Sequence, residues 1–323
     1  SLWTGSYVVF TAGMAASTLA TATWLIEAAG AALWLGPFVV FGRNPLVAFL
    51  GSGIMAGAIA EVVARAGVRA VLRARSESSA ASSLKSVEKG LARQVEKGKL
   101  EAAERDRILA NISTTTDLGA LGDCDLLIES IVEDLETKQQ LFRELDLVTK
   151  PTALLATNTS TLPVVEMAKV VKNPERVCGI HFFNPAQVLQ LVEIVRPITA
   201  SNETIDRATD FVSKIGKEGV HVLDRAGFIV NALLFPYLNN AVRMLEDGTA
   251  SMPDIDAAMK GGCNFPMGPF ALLDLVGLDT SLSILETLHA SFGDDNFAPR
   301  PMLRDLVEQG RLGRKTKAGF YEY

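Results

Sequence analysis

The chain has 323 residues, 48% of them hydrophobic, with 37 acidic against 31 basic side chains and a net charge of −6. That length accommodates two domains with sizeable cores, and the acidic balance argues against nucleic acid as a partner, since phosphate binding wants a basic surface. Three cysteines, Cys124, Cys178 and Cys263, lie far apart with no C-x-x-C pair. They imply neither a disulfide framework nor a metal site, and a reducing, cytoplasmic compartment is the expectation.

Composition changes near residue 43. Residues 1–42 hold all three tryptophans and a single charge, Glu27, while every basic residue lies further on. The stretch 6–26 is uncharged and long enough to cross a bilayer. It is nevertheless rich in Ala and Thr, and no basic residue precedes it as in a signal peptide. The segments SLWTGSYVVFTAG and PFVVFGRNPLVAF resemble late transmembrane segments of membrane acyltransferases related to heparan-α-glucosaminide acetyltransferase. That resemblance lacks any catalytic part and implies a fused remnant. Residues 1–44 are thus expected to be an apolar N-terminal extension. Its two readings are membrane association through residues 1–42 and an adventitious helical addition.

From residue 44 the elements follow in order. Leu46 to Leu50 is a short apolar strand ending in Gly51-Ser52-Gly53, and Ile54 to Ala66 has helical periodicity capped by Gly67. Val68 to Leu72 is the next strand, completing a β-α-β unit. A polar helix or helix pair is expected over 82–110, then a buried strand at 125–128 and a helix over 135–148. Strands follow at 153–156, 177–180, 191–195 and around Val220-His221-Val222. From Gly227 the periodicity is helical, with Pro253, Pro266 and Pro269 at helix starts. The expectation is a Rossmann-like, doubly wound, mostly parallel sheet over 45–224, followed by an all-α domain over 225–323.

Gly51-x-Gly53-x-x-Ala56 matches the dinucleotide fingerprint in its G-x-G-x-x-A form. The glycines permit a tight turn and close approach of a pyrophosphate, and the small third residue lets helix and strand pack. The residues it assigns to the cofactor are Gly51, Gly53, Ile54, Met55 and Ala56. The acid expected about twenty residues on, for the ribose 2′-hydroxyl, is absent: the second strand ends Arg73-Ala74-Arg75. The cofactor is therefore NAD or NADP: loss of the acid beside Arg73 and Arg75 raises NADP, while the plain reading is two solvated strand-end arginines and weakened NAD binding.

His181 ends an apolar strand, and Glu193 lies inside another. A buried carboxylate needs a cationic or hydrogen-bonding neighbour. If the two strands pair, Glu193 can hold the His181 ring as a base–orienter pair for proton transfer. Asn158-Thr159-Ser160 follows another strand end, where parallel sheets bind ligands. Alone, a strand-end histidine is more often structural. Lys85, Lys89, Arg93 and Lys97 make a basic stripe whose plain reading is a solvated face, and His221 and His289 read as bystanders.

The segments GSGIMAGAIAEVVARAG, IESIVED, NTST, GIHFFNP, LVEIV, DRAGFIVNALLFPYL, PMGP and LGRKTKAGFYEY together resemble the 3-hydroxyacyl-CoA dehydrogenases, in particular the bacterial 3-hydroxybutyryl-CoA type, from about residue 46 to 323. The resemblance implies reversible oxidation of an L-3-hydroxyacyl-CoA. His181 would take the proton of the 3-hydroxyl while hydride leaves to the nicotinamide, and Glu193 would orient His181. Ser160 and Asn231 would bind the substrate oxygen. Arg75, Glu133, Lys138, Ser160, Asn184 and Lys315 would lie near the cofactor, and Lys97 and Lys138 near coenzyme A. The family's serine close to Lys97 is replaced by Gly90, which puts CoA affinity in doubt. A homodimer through the helical domain is also implied. The rival readings are a hydroxy-acid or sugar-acid dehydrogenase on the same fold and a non-catalytic, crystallin-like binding protein.

Overall fold

The computed structural model describes residues 46–51 and 54–323. Segment 1–44, Gly53 and the Ile54 side chain, with the expectations attached to them, lie outside the described residues. Pro45–Tyr323 forms one compact unit.

Its elements in chain order are β1 (Leu46–Leu50), α1 (Ile54–Arg65), β2 (Arg69–Arg73), α2 (Glu77–Glu96), α3 (Ala102–Ala110), β3 (Ile112–Thr115), β4 (Leu126–Glu129), α4 (Leu135–Val148), β5 (Leu154–Thr157), α5 (Val164–Ala168), β6 (Val177–Phe182), β7 (Leu191–Arg196), α6 (Asn202–Lys214) and β8 (Glu218–Leu223). The helical part then follows as α7 (Val230–Glu246), α8 (Met252–Cys263), α9 (Pro269–Val276), α10 (Leu278–Phe292) and α11 (Pro301–Glu308).

The strands form one eight-stranded sheet in the order β3-β2-β1-β4-β5-β6-β7-β8. Neighbours are parallel except β6 and β7, which run antiparallel. The order reverses direction between β1 and β4, the switch point at which doubly wound sheets bind ligands. β4 and β5 are buried along their whole length and β1 along all but its first residue. Their unbroken apolar runs are what a sheet covered on both faces requires. β8, by contrast, is an exposed edge strand, and His221 on it is exposed. One apolar cluster packs β1, β4 and β5 against α4 and α5; a second joins α7, α9, α10 and α11.

The polar stretch expected over 82–110 is a pair of helices, α2 and α3, and α2 starts earlier because Ser76 caps it by accepting the Ser79 N–H. β3 escapes pattern reading, since Ile-Ser-Thr-Thr has one buried residue and sits at the sheet edge. Pro253 and Pro269 stand in the first turns of α8 and α9, where a missing N–H costs nothing. Pro266 lies in the connection between them.

Candidate active site

The β1–α1 turn is built for close approach. Gly51 has φ +148°, and a Cβ on it would stand 2.6 Å from the Ser130 carbonyl oxygen, so only glycine fits. Ala56 is fully buried behind the turn. Beside it lies a cavity of about 440 Å³, whose walls include Met55, Ser130, Glu133, Lys138 and Ser160. The buried Ser130 hydroxyl has no hydrogen-bond partner among the described residues. A glycine at Gly51 that no other residue could replace, at a switch point, and an orphaned hydroxyl on the neighbouring cavity wall fit a dinucleotide.

The register of β6 and β7 places His181 directly opposite Glu193. Both are buried, and His181 Nδ1 lies 2.7 Å from Glu193 Oε2. The other carboxylate oxygen, Oε1, accepts the N–H groups of Ile229 and Val230, both at 3.0 Å, at the start of α7. The partially positive helix N-terminus thereby shares the carboxylate with the imidazole. A tight turn makes this possible: Gly227 (φ +72°) and Phe228 (φ +49°) are both left-handed. For phenylalanine that conformation costs energy and persists only where the surroundings enforce it. Here the turn buries Phe228, whose ring centroid is 5.5 Å from that of His181, while Phe183 stands 4.5 Å away on the same ring. Nδ1 is thus occupied, leaving Nε2 as the nitrogen available to a substrate.

The strand ends of β4 and β5 carry a second polar network. Glu129 is fully buried, and its Oε1 accepts Lys138 Nζ at 2.6 Å and the Ile131 N–H at 2.6 Å. Its Oε2 accepts the Thr157 hydroxyl at 2.7 Å. Lys138 also lies 3.3 Å from Glu133. Glu133 Oε1 in turn accepts the Thr159 hydroxyl and the Ser160 N–H, the latter at 2.9 Å. Burial by itself would raise the Glu133 carboxyl; Lys138, Thr159 and the Ser160 N–H outweigh it and hold the group below the usual carboxylate range. The network fixes the 157–161 loop. Asp224 caps α5 behind it, accepting the Val164 and Val165 N–H groups at 2.8 and 2.7 Å.

The Asn231 amide donates to the Ser160 carbonyl at 3.2 Å, and Asn158 Oδ1 accepts the Phe182 N–H at 2.7 Å. Ser160, Asn231 and the His181 strand are therefore tied together. Asn184 is exposed just beyond His181. Lys315 is engaged elsewhere, by both Asp279 oxygens at 2.5 and 2.6 Å, with Asp279 on the wall of the 440 Å³ cavity. Lys97 ends α2 exposed, its side chain without a partner among the described residues, and Lys85, Lys89 and Arg93 are exposed with it. His289 is half-buried.

At the end of β2, Ala74 is buried and Arg75 exposed. Arg73 and Arg75 line a further cavity of about 630 Å³ with Arg143 of α4, facing Glu136 and Glu144. The Arg73 Nε is buried without a hydrogen-bond partner among the described residues. Glu129, Thr157, Phe228 and Arg143 escaped sequence reasoning. A charge closing the apolar run Leu126-Leu127-Ile128 was the available signal for Glu129; Arg143 had none, because it reaches the site from another helix.

Among the described residues, no cluster of three or more His, Cys, Asp or Glu could hold a metal ion, and no helix is long and apolar enough to cross a membrane.

Comparison with known proteins agrees with this geometry. The profile of the 3-hydroxyacyl-CoA dehydrogenase NAD-binding domain matches residues 46–225, and that of the family's C-terminal domain matches 227–323. Neither match includes segment 1–45, and its resemblance to membrane acyltransferases gains no support. A 3-hydroxybutyryl-CoA dehydrogenase of Mycobacterium tuberculosis is 45% identical over 86% of this chain and 98% of its own length. One from Clostridioides difficile is 42% identical over 86% of this chain and 99% of its own. A solved (S)-3-hydroxybutyryl-CoA dehydrogenase from Ralstonia eutropha superposes with a TM-score of 0.84 at 34% identity, covering 87% of this chain and 99% of that one. Its two-part fold, its dinucleotide turn and two profiles that together span residues 46–323 with one residue between them place this chain in the 3-hydroxyacyl-CoA dehydrogenase family.

Proposed function

We propose that the protein oxidises L-3-hydroxyacyl-CoA esters reversibly to 3-ketoacyl-CoA, with short-chain substrates of the 3-hydroxybutyryl type. The observation that carries this reading is the buried His181–Glu193 pair at 2.7 Å, held by the pairing of β6 and β7 in the same sheet whose β1 leads into the Gly51 turn. With Nδ1 bound to Glu193, His181 Nε2 takes the proton of the substrate 3-hydroxyl. Glu193 fixes the ring and stabilises the imidazolium that forms. The Ser160 hydroxyl and Asn231 amide hold the substrate oxygen as charge develops on it. Phe183 and Phe228 shield the ring from water. When bound, the nicotinamide supplies the acceptor for the hydride that leaves C3. Gly51, Gly53, Ile54, Met55 and Ala56 would hold its pyrophosphate, with Glu133, Lys138, Ser160, Asn184 and Lys315 around the rest. Lys97 and Lys138 would meet coenzyme A.

For the dinucleotide we favour the 2′-phosphorylated form, NADP(H). Ala74 offers no carboxylate to a ribose diol, and three arginines, Arg73, Arg75 and Arg143, face one cavity. Guanidinium groups suit a phosphate through paired, charge-assisted hydrogen bonds. We place the nucleotide-binding domain at 45–224 and the helical domain at 225–323. Exposed apolar side chains on the latter, among them Leu233, Met244, Leu275 and Phe292, favour a homodimer. Free, buried Cys124 and Cys178 suit a reducing compartment.

The test is initial rates of acetoacetyl-CoA reduction with NADPH and NADH, for the wild type and His181→Gln. The wild type should turn over, faster with NADPH at low concentration. His181→Gln should lose about 10²–10⁴-fold in kcat while still binding cofactor. A fully active variant would sink the reading.

A further inference from the structure

A separate cavity of about 370 Å³ lies where α1 and α2 face the segment that leaves β6, and Glu61, Gly90, Asn184 and Gln187 are on its wall. Glu61 is 2% exposed and both its oxygens are engaged. Oε1 accepts Arg65 Nε at 3.0 Å and Nη2 at 2.8 Å; Oε2 accepts Gln187 Nε2 at 3.0 Å. Arg65 Nη2 also donates to Gln94 Oε1 of α2 at 2.9 Å. Four side chains thus join the helix that starts at the dinucleotide turn, the helix that ends at Lys97, and the segment just past His181.

That segment is held unevenly. The N–H groups of Val188 and Leu189 return to the Pro185 carbonyl within it, and its far end is tied to the β8 side through Lys217 and Glu218. Among the described residues, the hydrogen bond from Gln187 to Glu61 is what joins it to α1. Its near end carries Phe183, whose ring is 4.5 Å from that of His181 and tilted 56° to it, and Asn184. Arg65 by itself would pair the Glu61 charge. The second oxygen instead fixes an exposed glutamine, which loses side-chain entropy by being held, so the bond serves the segment more than the stability of the helix.

We infer that Glu61 is a positioning residue for the dehydrogenase reaction: it pins Gln187 and so holds Phe183 and Asn184 in register with His181 and the cofactor. This rests on the dehydrogenase reading above. Gln187→Met removes the donor, leaves the buried Glu61 Oε2 unpaired and should lower the melting temperature modestly. It should lower kcat about tenfold, the worth of one hydrogen bond to a charged group, with little change in either KM. Gln187→Glu sets two carboxylates against each other and should be as slow or slower. Adding Glu61→Gln to it restores an amide–carboxylate bond in the opposite sense and should recover most of the lost kcat. A merely structural contact would move the melting temperature and leave kcat alone. Wild-type kcat in Gln187→Met overturns the inference, as does a folded double variant no faster than Gln187→Glu. Absence of turnover in the wild type itself would overturn the dehydrogenase reading, and this one with it.

Discussion

The two ends of the proposed site, the His181–Glu193 pair and the arginine cavity beyond β2, differ in how tightly they are specified. At the first, His181 and Glu193 are buried, opposite each other in an antiparallel register, and both Glu193 oxygens are used, one by the imidazole and one by the N-terminus of α7. At the second, Ala74 follows β2 where an acid would be presented, and three arginines line a cavity with one buried nitrogen unpaired among the described residues. A buried polar group must find its partner or pay heavily, so the first end admits almost no substitution. The ribose end is partly open, with Arg75 exposed and only Arg73 Nε left buried without a partner among the described residues, so its specificity can change at less cost to the fold.

Experiments can break or sharpen that contrast. The largest effect is expected at the tight end. Glu193→Gln removes the charge that stabilises the imidazolium and weakens the α7 cap, so kcat should fall by about 10²-fold or more and the melting temperature should drop with it. Activity near wild type would show that the pairing is structural. Glu129→Ala comes next, read by chemical denaturation. It strips Lys138, 1% exposed, of its nearest anion and should destabilise by roughly 3–5 kcal/mol, and an unchanged midpoint would remove this network from the scaffold of the site.

Smaller effects belong to the open end. Ala74→Asp should reverse the NADPH to NADH preference by about tenfold or more, and Arg143→Ala should weaken binding of 2′,5′-ADP but not of 5′-AMP by a similar factor. Calorimetry with the two nucleotides reads this without turnover; equal losses for both would sink the phosphate assignment. The smallest effect is electrostatic. Glu133 is held below its ordinary range, so its ionised form stabilises the fold in full above that range, and the contribution is lost as pH falls through the lowered value. Glu133→Gln should therefore melt below the wild type at neutral pH and converge with it in acid. A constant gap across pH would contradict the sign.

Much of the site was legible because its parts are local. The β1–α1 turn is a contiguous motif whose glycine requirement, a carbonyl 2.6 Å from the absent Cβ, is the reason for the pattern. The approximate strand positions follow from apolar runs that a doubly covered sheet demands. β3 was lost because Ile112 is its one buried residue. Glu129 and Thr157 were passed over because their roles need two strand ends side by side, and Arg143 and Gln187 because each reaches its site from a different segment.

By itself, then, the chain's sequence determined the β-α-β unit and the helical C-terminal part, and named His181 and Glu193 as candidates for proton transfer. These depend on short-range periodicity and side-chain chemistry, which any stretch carries within itself. Tertiary structure decided that β6 and β7 run antiparallel with His181 facing Glu193, that a left-handed Gly227-Phe228 turn delivers α7 to the same carboxylate, and that Arg143 joins Arg73 and Arg75. Such juxtapositions depend on which strands and helices become neighbours, and long-range packing sets that rather than local pattern.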